Sequence, residues 1–164
     1  MAFFKVVSNN AEGQGPKYHD DNAIRDVLGY VLAEKKCPSG CKGSIGCSLR
    51  DAVEQMEMLA KRMGKYEGIR LRHMILSFQP VEPISVYLAR ELAEQVAWYY
   101  GEDYQIVYAV HEDANCLNIH WVMNTVSWRT GRKHPGTADE YAQFVGFLGS
   151  LLWSEYGLRL TVGS

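Results

Sequence analysis

The chain has 164 residues, 47% hydrophobic and 22% charged, with a formal net charge of −2 at pH 7. That length suits one domain with a full core, and the composition is ordinary for a soluble globular protein. No apolar run reaches the ~20 residues of a membrane helix and no signal peptide precedes Phe3, so a cytoplasmic protein is expected; the slight negative charge argues against a general nucleic-acid binder.

Residues 3–7 read as a first strand, followed by a polar, Asn- and Gly-rich loop over 8–19. Asp20 or Asp21 then caps a helix with Ile24, Val27, Leu28, Val31 and Leu32 along one stripe. Tyr30 falls off that stripe. It reads either as a surface aromatic or as a nucleophile, whose attack on a phosphodiester would need a polarised phosphate. Cys37, Cys41 and Cys47 follow in a Gly/Ser/Lys-rich loop. Their spacing and the lack of a fourth ligand nearby favour reduced thiols over zinc, and Cys116 is too remote for a disulfide framework. Ser48 with Asp51 resembles a capping box for a second helix, with Val53, Met56, Leu59, Ala60 and Met63 inward.

Residues 69–78 form a strand, Met74, Leu76 and Phe78 on one face and His73, Ile75 and Ser77 on the other, ended by Pro80 and Pro83. A third helix over 85–100 buries Leu88, Leu92 and Val96, and packing on the sheet accounts for Trp98, Tyr99 and Tyr100 more simply than base stacking does. A strand over 104–111 turns at 112–115 into another over 116–128. Thr137 with Glu140 opens a last helix burying Phe144, Val145, Leu148 and Leu152, and 158–162 adds a terminal strand. Strands alternate with helices, yet the central hairpin excludes a wholly parallel sheet. The expected class is α+β, a central antiparallel sheet with helices packed on one face and the other face left for a ligand.

That second face carries the chemistry. Over 116–124 the odd positions Leu117, Ile119, Trp121 and Met123 are apolar, whereas Cys116, Asn118 and His120 are possible ligands. If His111 lies opposite residue 116 or 118, two imidazoles and a carboxamide oxygen share a surface. They read either as ordinary solvated strand residues or as a mixed N/O site suited to Mn²⁺ or Mg²⁺. Asp113 is a turn former or a carboxylate orienting a histidine. Cys116 is a spare ligand or a small residue, and His73 reads best as a packed strand histidine.

Three ordered motifs carry a resemblance through nearly the whole chain. Ala-Ile-Arg-Asp-Val-Leu-Gly-Tyr-Val-Leu at 23–32, with Lys35 and Lys36 behind it, is similar to an early helix ending in Tyr and two hydrophobic residues. Leu-Ser-Phe-Gln-Pro at 76–80, with Glu82 soon after, matches a strand ending in Ser-Phe-x-Pro. His-Glu-Asp-Ala-Asn-Cys-Leu-Asn-Ile-His at 111–120 resembles His-x-Asp-x-x-His-x-His-x-His, followed here by Trp-Val-Met-Asn. The Thr-Gly-Arg-Lys turn at 130–133 and the Tyr-Gly-Leu at 156–158 extend the likeness. The chain resembles the N-terminal domain of the mobilisation-type conjugative relaxases, members of the HUH endonuclease superfamily. It departs from them at two motif histidines, replaced by Cys116 and Asn118.

The resemblance implies a single nuclease domain over 1–164, of a kind that commonly continues into further domains. It also implies an enzyme that nicks and rejoins single-stranded DNA at the transfer origin of a plasmid or conjugative element. Tyr30 would attack the phosphodiester and become 5′-phosphotyrosyl. His111, Asn118 and His120 would hold a divalent ion, Mn²⁺ or Mg²⁺, and Asp113 would orient a ligand or accept a proton. Related branches accept Asn in this trio. Ser77, Arg70, Arg72, Arg129, Arg132 and Lys133 would contact DNA, the arginines and the lysine tracking phosphates. Accessory relaxosome and coupling proteins are the implied partners. The alternative is a non-catalytic origin-binding module with a degenerate metal site. A rolling-circle initiator fits less well, because the nucleophile here precedes the metal motif.

Overall fold

The computed structural model describes residues 1–7, 18–82, 84–113 and 116–163. The elements run β1 (Ala2–Val7), α1 (Ala23–Val31), β2 (Lys42–Ile45), α2 (Ala52–Arg62), β3 (Leu71–Phe78), α3 (Val86–Gly101), β4 (Tyr104–Asp113), β5 (Cys116–Ser127), α4 (Ala138–Leu151) and β6 (Leu160–Val162), with a π-helical turn over Leu152–Tyr156. Most of the loop expected at 8–19 lies outside the described residues, as do Pro83 and residues 114–115 of the hairpin turn.

The strands form a six-stranded sheet in the order β2-β4-β5-β3-β1-β6. Every neighbouring pair is antiparallel except β1 with β6, so the α+β class holds and the sheet is mixed at one edge. Alternation divides the two faces. Phe4, Met74, Leu76, Tyr108, Val110, Ile119 and Trp121 belong to the main core, which includes Leu92, Val96, Phe144 and Leu148 of α3 and α4. α3 lies close to the sheet because its buried stripe is largely small: Ala89, Leu92, Ala93, Val96, Ala97 and Tyr100. Leu88, expected inside, is 42% exposed because it sits beside that stripe rather than on it.

The expectation of helices on one face alone needs correction. Leu71, Val107, Ala109 and Val122 form a second core with Ile24, Leu28 and Val31 of α1 and Met56 of α2. The apolar stripes of these two helices have to be buried somewhere, and the apolar part of the second face takes them. The region around the three early cysteines contains an edge strand, β2, which pairs with β4. Gly43 within it lies against the Tyr108 hydroxyl, where a Cβ would collide. The cysteines are free thiols, Cys37 and Cys41 buried.

Caps follow the expected chemistry in part. Thr137 accepts from the Glu140 amide at 3.2 Å and Ser85 from that of Leu88 at 3.1 Å. Asp20 instead bonds the Asn22 amide at 2.8 Å in the turn before α1, and Ser48 bonds that of Asp51 at 3.1 Å in the turn before α2. Among the described residues, no helix is long and apolar enough to cross a membrane.

Candidate active site

The register of β3, β4 and β5 gathers three imidazoles. His111 lies opposite Asn118, His120 lies between Ala109 and Ile75, and His73 lies opposite Val122. The His111 and His120 rings stack with centroids 4.0 Å apart, and His120 stacks on His73 at 5.1 Å. All three are buried rather than solvated on an open sheet, because the end of α1 closes over this part of the face.

Tyr30 is the penultimate residue of α1 and lies off its buried stripe of Ala23, Ile24, Val27, Leu28 and Val31. It is 47% exposed. Its ring meets His111 and His120 edge-on, at centroid distances of 5.3 and 5.8 Å. The helix end is pinned at the neighbouring residue. The Val31 carbonyl, left without an intrahelical donor, accepts from His111 Nε2 at 2.9 Å and from the Cys37 thiol at 3.6 Å. Lys42 Nζ donates to the Leu32 carbonyl at 3.2 Å. These bonds fix where the phenol of Tyr30 emerges.

The same hydrogen bond determines the state of His111. A carbonyl can only accept, so Nε2 carries the proton and Nδ1 presents a lone pair. That Nδ1 is buried and has no hydrogen-bond partner among the described residues. His120 Nδ1 lies 2.8 Å from His73 Nε2, and His73 Nδ1 lies 3.0 Å from the Tyr18 hydroxyl. Asn118 donates its amide nitrogen to Asp113 Oδ2 at 2.9 Å, which assigns its oxygen as the remaining acceptor. The other oxygen of Asp113 lies 3.4 Å from Lys36 Nζ, and that ammonium also stands 5.8 Å from the Tyr30 ring centroid.

An orphaned imidazole lone pair, a second imidazole and an amide oxygen make a donor set that fits a divalent cation with open positions. Among the described residues, no three His, Cys, Asp or Glu side chains are grouped to hold an ion, so such a site depends on Asn118.

Burial first, then the imidazoles of His111 and His73 and the ammonium groups of Lys5 and Lys36, push the His120 pKa down to about 2. Burial also holds His111 below the ordinary histidine value, against opposing pulls from Val31 and Asp113. Both therefore fold neutral. Below the unfolded value of about 6.5 the unfolded chain takes up protons that the folded chain does not, so stability present at neutral pH is lost as pH falls. The metal-free chain should lose up to about 1.4 kcal/mol per pH unit through His120 between about pH 6.5 and 5, with His111 acting in the same direction. Thermal melts in EDTA across that window measure it, and His120→Gln should flatten the slope.

The remaining expected site residues are dispersed. Ser77 stands opposite Asn118 on the site's face. Arg72 lies on the other face, 3.6 Å from Glu140 of α4. Arg70 pairs with Asp21 at 3.0 Å and packs on the Tyr66 ring, near the start of α1 rather than its end. Arg129 pairs with Asp103 at 3.0 Å, and Arg132 follows it in the turn beyond the far end of β5. Lys133 donates to the Glu67 and Ile69 carbonyls. With Arg72 and Tyr18 it lines a cavity of about 830 Å³. From sequence, His73 reads as a packing residue, and neither Lys36 nor Tyr18 carries a signal of a role in the site. Alternation puts His73 on the correct face, but only the pairing of β3 with β5 brings it to His120.

A family model described as the nuclease domain of MobA/VirD2-like relaxases matches residues 30–156. Two Staphylococcus aureus proteins called "Protein rlx" are similar. One is 25% identical over 119 residues, covering 73% of this chain and 37% of that protein. The other is 30% identical over 132 residues, covering 79% and 40%. The chain thus spans about two fifths of the length of these relatives. No solved structure matches it. With the family model spanning the segment from Tyr30 past both histidines of the β4–β5 hairpin to Tyr156, the chain belongs to the MobA/VirD2-like relaxases, within their nuclease domain.

Proposed function

We propose that this domain cleaves and rejoins one strand of DNA at the transfer origin of a plasmid or conjugative element, with Tyr30 as the nucleophile. The observation that carries the reading is the phenol of Tyr30 standing edge-on to His111 and His120 at the end of a pinned helix. The phenol oxygen attacks the scissile phosphorus, the bond to the 3′ oxygen breaks, and the products are a 5′-phosphotyrosyl link and a 3′ hydroxyl. The proton lost by the phenol replaces, by way of solvent or Asp113, the one gained by the leaving oxygen. Because the phosphotyrosyl ester retains the bond energy, the 3′ hydroxyl can reverse the step.

His111 through Nδ1, His120 and the amide oxygen of Asn118 would hold a divalent ion, Mn²⁺ or Mg²⁺. When bound, its chemistry is neutralisation of charge on the phosphate oxygens. Asp113 keeps the Asn118 amide turned so that its oxygen is available, and Lys36 holds Asp113 in turn. Replacing an imidazole by an amide weakens the site for soft-leaning metals and favours hard ones. EDTA should therefore abolish cleavage and Mn²⁺ restore it, and Asn118→His should tighten Mn²⁺ binding, read directly by the loss of the free-ion EPR signal.

The test of the reading is covalent capture. The chain is incubated with labelled origin-strand oligonucleotides of mobile elements and Mn²⁺, then resolved on a denaturing gel. A protein–DNA adduct whose linked peptide contains Tyr30 is expected. Binding without any adduct would instead mark a non-catalytic origin-binding module. Single-stranded DNA, accessory relaxosome proteins and a coupling protein are the partners this reading entails.

A further inference from the structure

The sheet face that holds the imidazoles is only partly roofed. α1 lies over β4 and β5 and α2 over β5, while on the same face of β1 the side chains of Phe3 and Lys5 are exposed. Along β1 the register sets Phe3 opposite Ser77 and Lys5 opposite Ile75. Those residues stand opposite Asn118 and His120 in turn. Two rows therefore cross the sheet, Phe3–Ser77–Asn118 and Lys5–Ile75–His120, each leading from an exposed β1 side chain into the site. Phe3 is 42% exposed, and Lys5 is exposed with no ion pair among the described residues. By contrast, Arg70, Arg72 and Arg129 each have a carboxylate partner. The charge of Lys5 is felt at His120, as is that of Lys36 from the opposite side of the row. At a strand spacing of about 4.8 Å, Lys5 lies roughly 10 Å along the row from His120.

The geometry points to β1 as a docking strip for single-stranded DNA next to the scissile phosphate, Lys5 neutralising a phosphate and Phe3 stacking on an unpaired base. The inference rests on the relaxase reading and adds the path by which the strand lies on the sheet. An exposed aromatic face with a solvent-exposed cation beside it, continuous with the imidazole row, complements a polyanion whose bases are exposed. The four arginines expected from sequence to bind DNA are not on this strip.

Fluorescence anisotropy with a labelled 30-nucleotide oligo-dT, in EDTA so that no strand is cut, tests the strip. Lys5→Gln should weaken binding several-fold and reduce the slope of log affinity against log salt by about 0.7, the value for one phosphate contact on a single strand. Phe3→Leu, which keeps bulk beside Gly163 but has no π face, should cost about tenfold, and Phe3→Tyr should bind like the parent. Affinity within twofold of the parent and an unchanged salt slope for both Lys5→Gln and Phe3→Leu would overturn the strip while leaving the relaxase reading intact. Failure of the parent chain to bind the oligonucleotide would also overturn the strip, and the relaxase reading would still be decided by covalent capture on origin strands. Competition by polyglutamate as effective as by oligo-dT would also overturn the strip, by making it a surface for acidic protein segments.

Discussion

Tyr30→Phe is expected to reduce the covalent protein–DNA adduct by at least about 10⁴-fold, below detection on a denaturing gel, because removal of a nucleophile eliminates its step outright. The substitution deletes one oxygen and keeps the ring that meets His111 and His120. Tyr30 is 47% exposed and stands outside the buried stripe of α1, so the melting temperature should barely change. Oligonucleotide affinity should stay within about twofold, since one hydroxyl supplies little of the binding energy spread over phosphates and bases. The combination of lost adduct, retained binding and retained fold is what separates a nucleophile from a structural tyrosine. Among the described residues, a second phenol reaches the imidazole row: Tyr18, whose hydroxyl lies 3.0 Å from His73 Nδ1. An adduct that persists in Tyr30→Phe and disappears in Tyr18→Phe would transfer the chemistry to that residue.

The parts of this arrangement that depend on local rules were legible in the sequence. Alternation along 116–124 separates Ile119, Trp121 and Met123 from Asn118 and His120, and the hairpin puts His111 opposite residue 116 or 118, between which the observed register selects Asn118. The 3.6-residue period left Tyr30 off its stripe. What the sequence withheld depends on which distant strands become neighbours. His73 joins the row only because β3 pairs with β5, across an intervening helix and strand. Lys5 and Phe3 align with the site only because β1 pairs with β3. The burial of the histidines was also unreadable. Periodicity says that a helix has an apolar stripe and not which face of the sheet it covers, so the expectation of helices on one face puts α1 on the side of α3. Strand β2 escaped for a different reason. Its four residues include Gly and Lys, which propensity counts against a strand, and the pairing with β4 together with the space under Tyr108 decides it.

Trp121→Ala should be among the most destabilising single substitutions, at about 3–5 kcal/mol. Trp121 is fully buried at the centre of the sheet, directly opposite Met74 on β3 and Tyr108 on β4. Its indole N–H donates to the Ala93 carbonyl at 2.9 Å, which ties the small-residue stripe of α3 to the strand. Truncation leaves a cavity beneath that helix which close-packed neighbours can fill only partly. Against a typical domain stability of about 5–15 kcal/mol, the loss approaches the whole of it at the lower end. Urea titration of purified protein measures the change, and Trp121→Phe, which keeps most of the ring but not the donor, should cost less than half as much. Trp121 follows His120 directly and points to the opposite face, so the two sets of properties should separate. Trp121→Phe should lower the urea midpoint while still forming the Tyr30 adduct in dilute buffer, and Tyr30→Phe should do the reverse. If Trp121→Phe abolished the adduct while its urea midpoint matched the parent's, the α3 face would have to take part in the chemistry rather than only support the strand that carries His120.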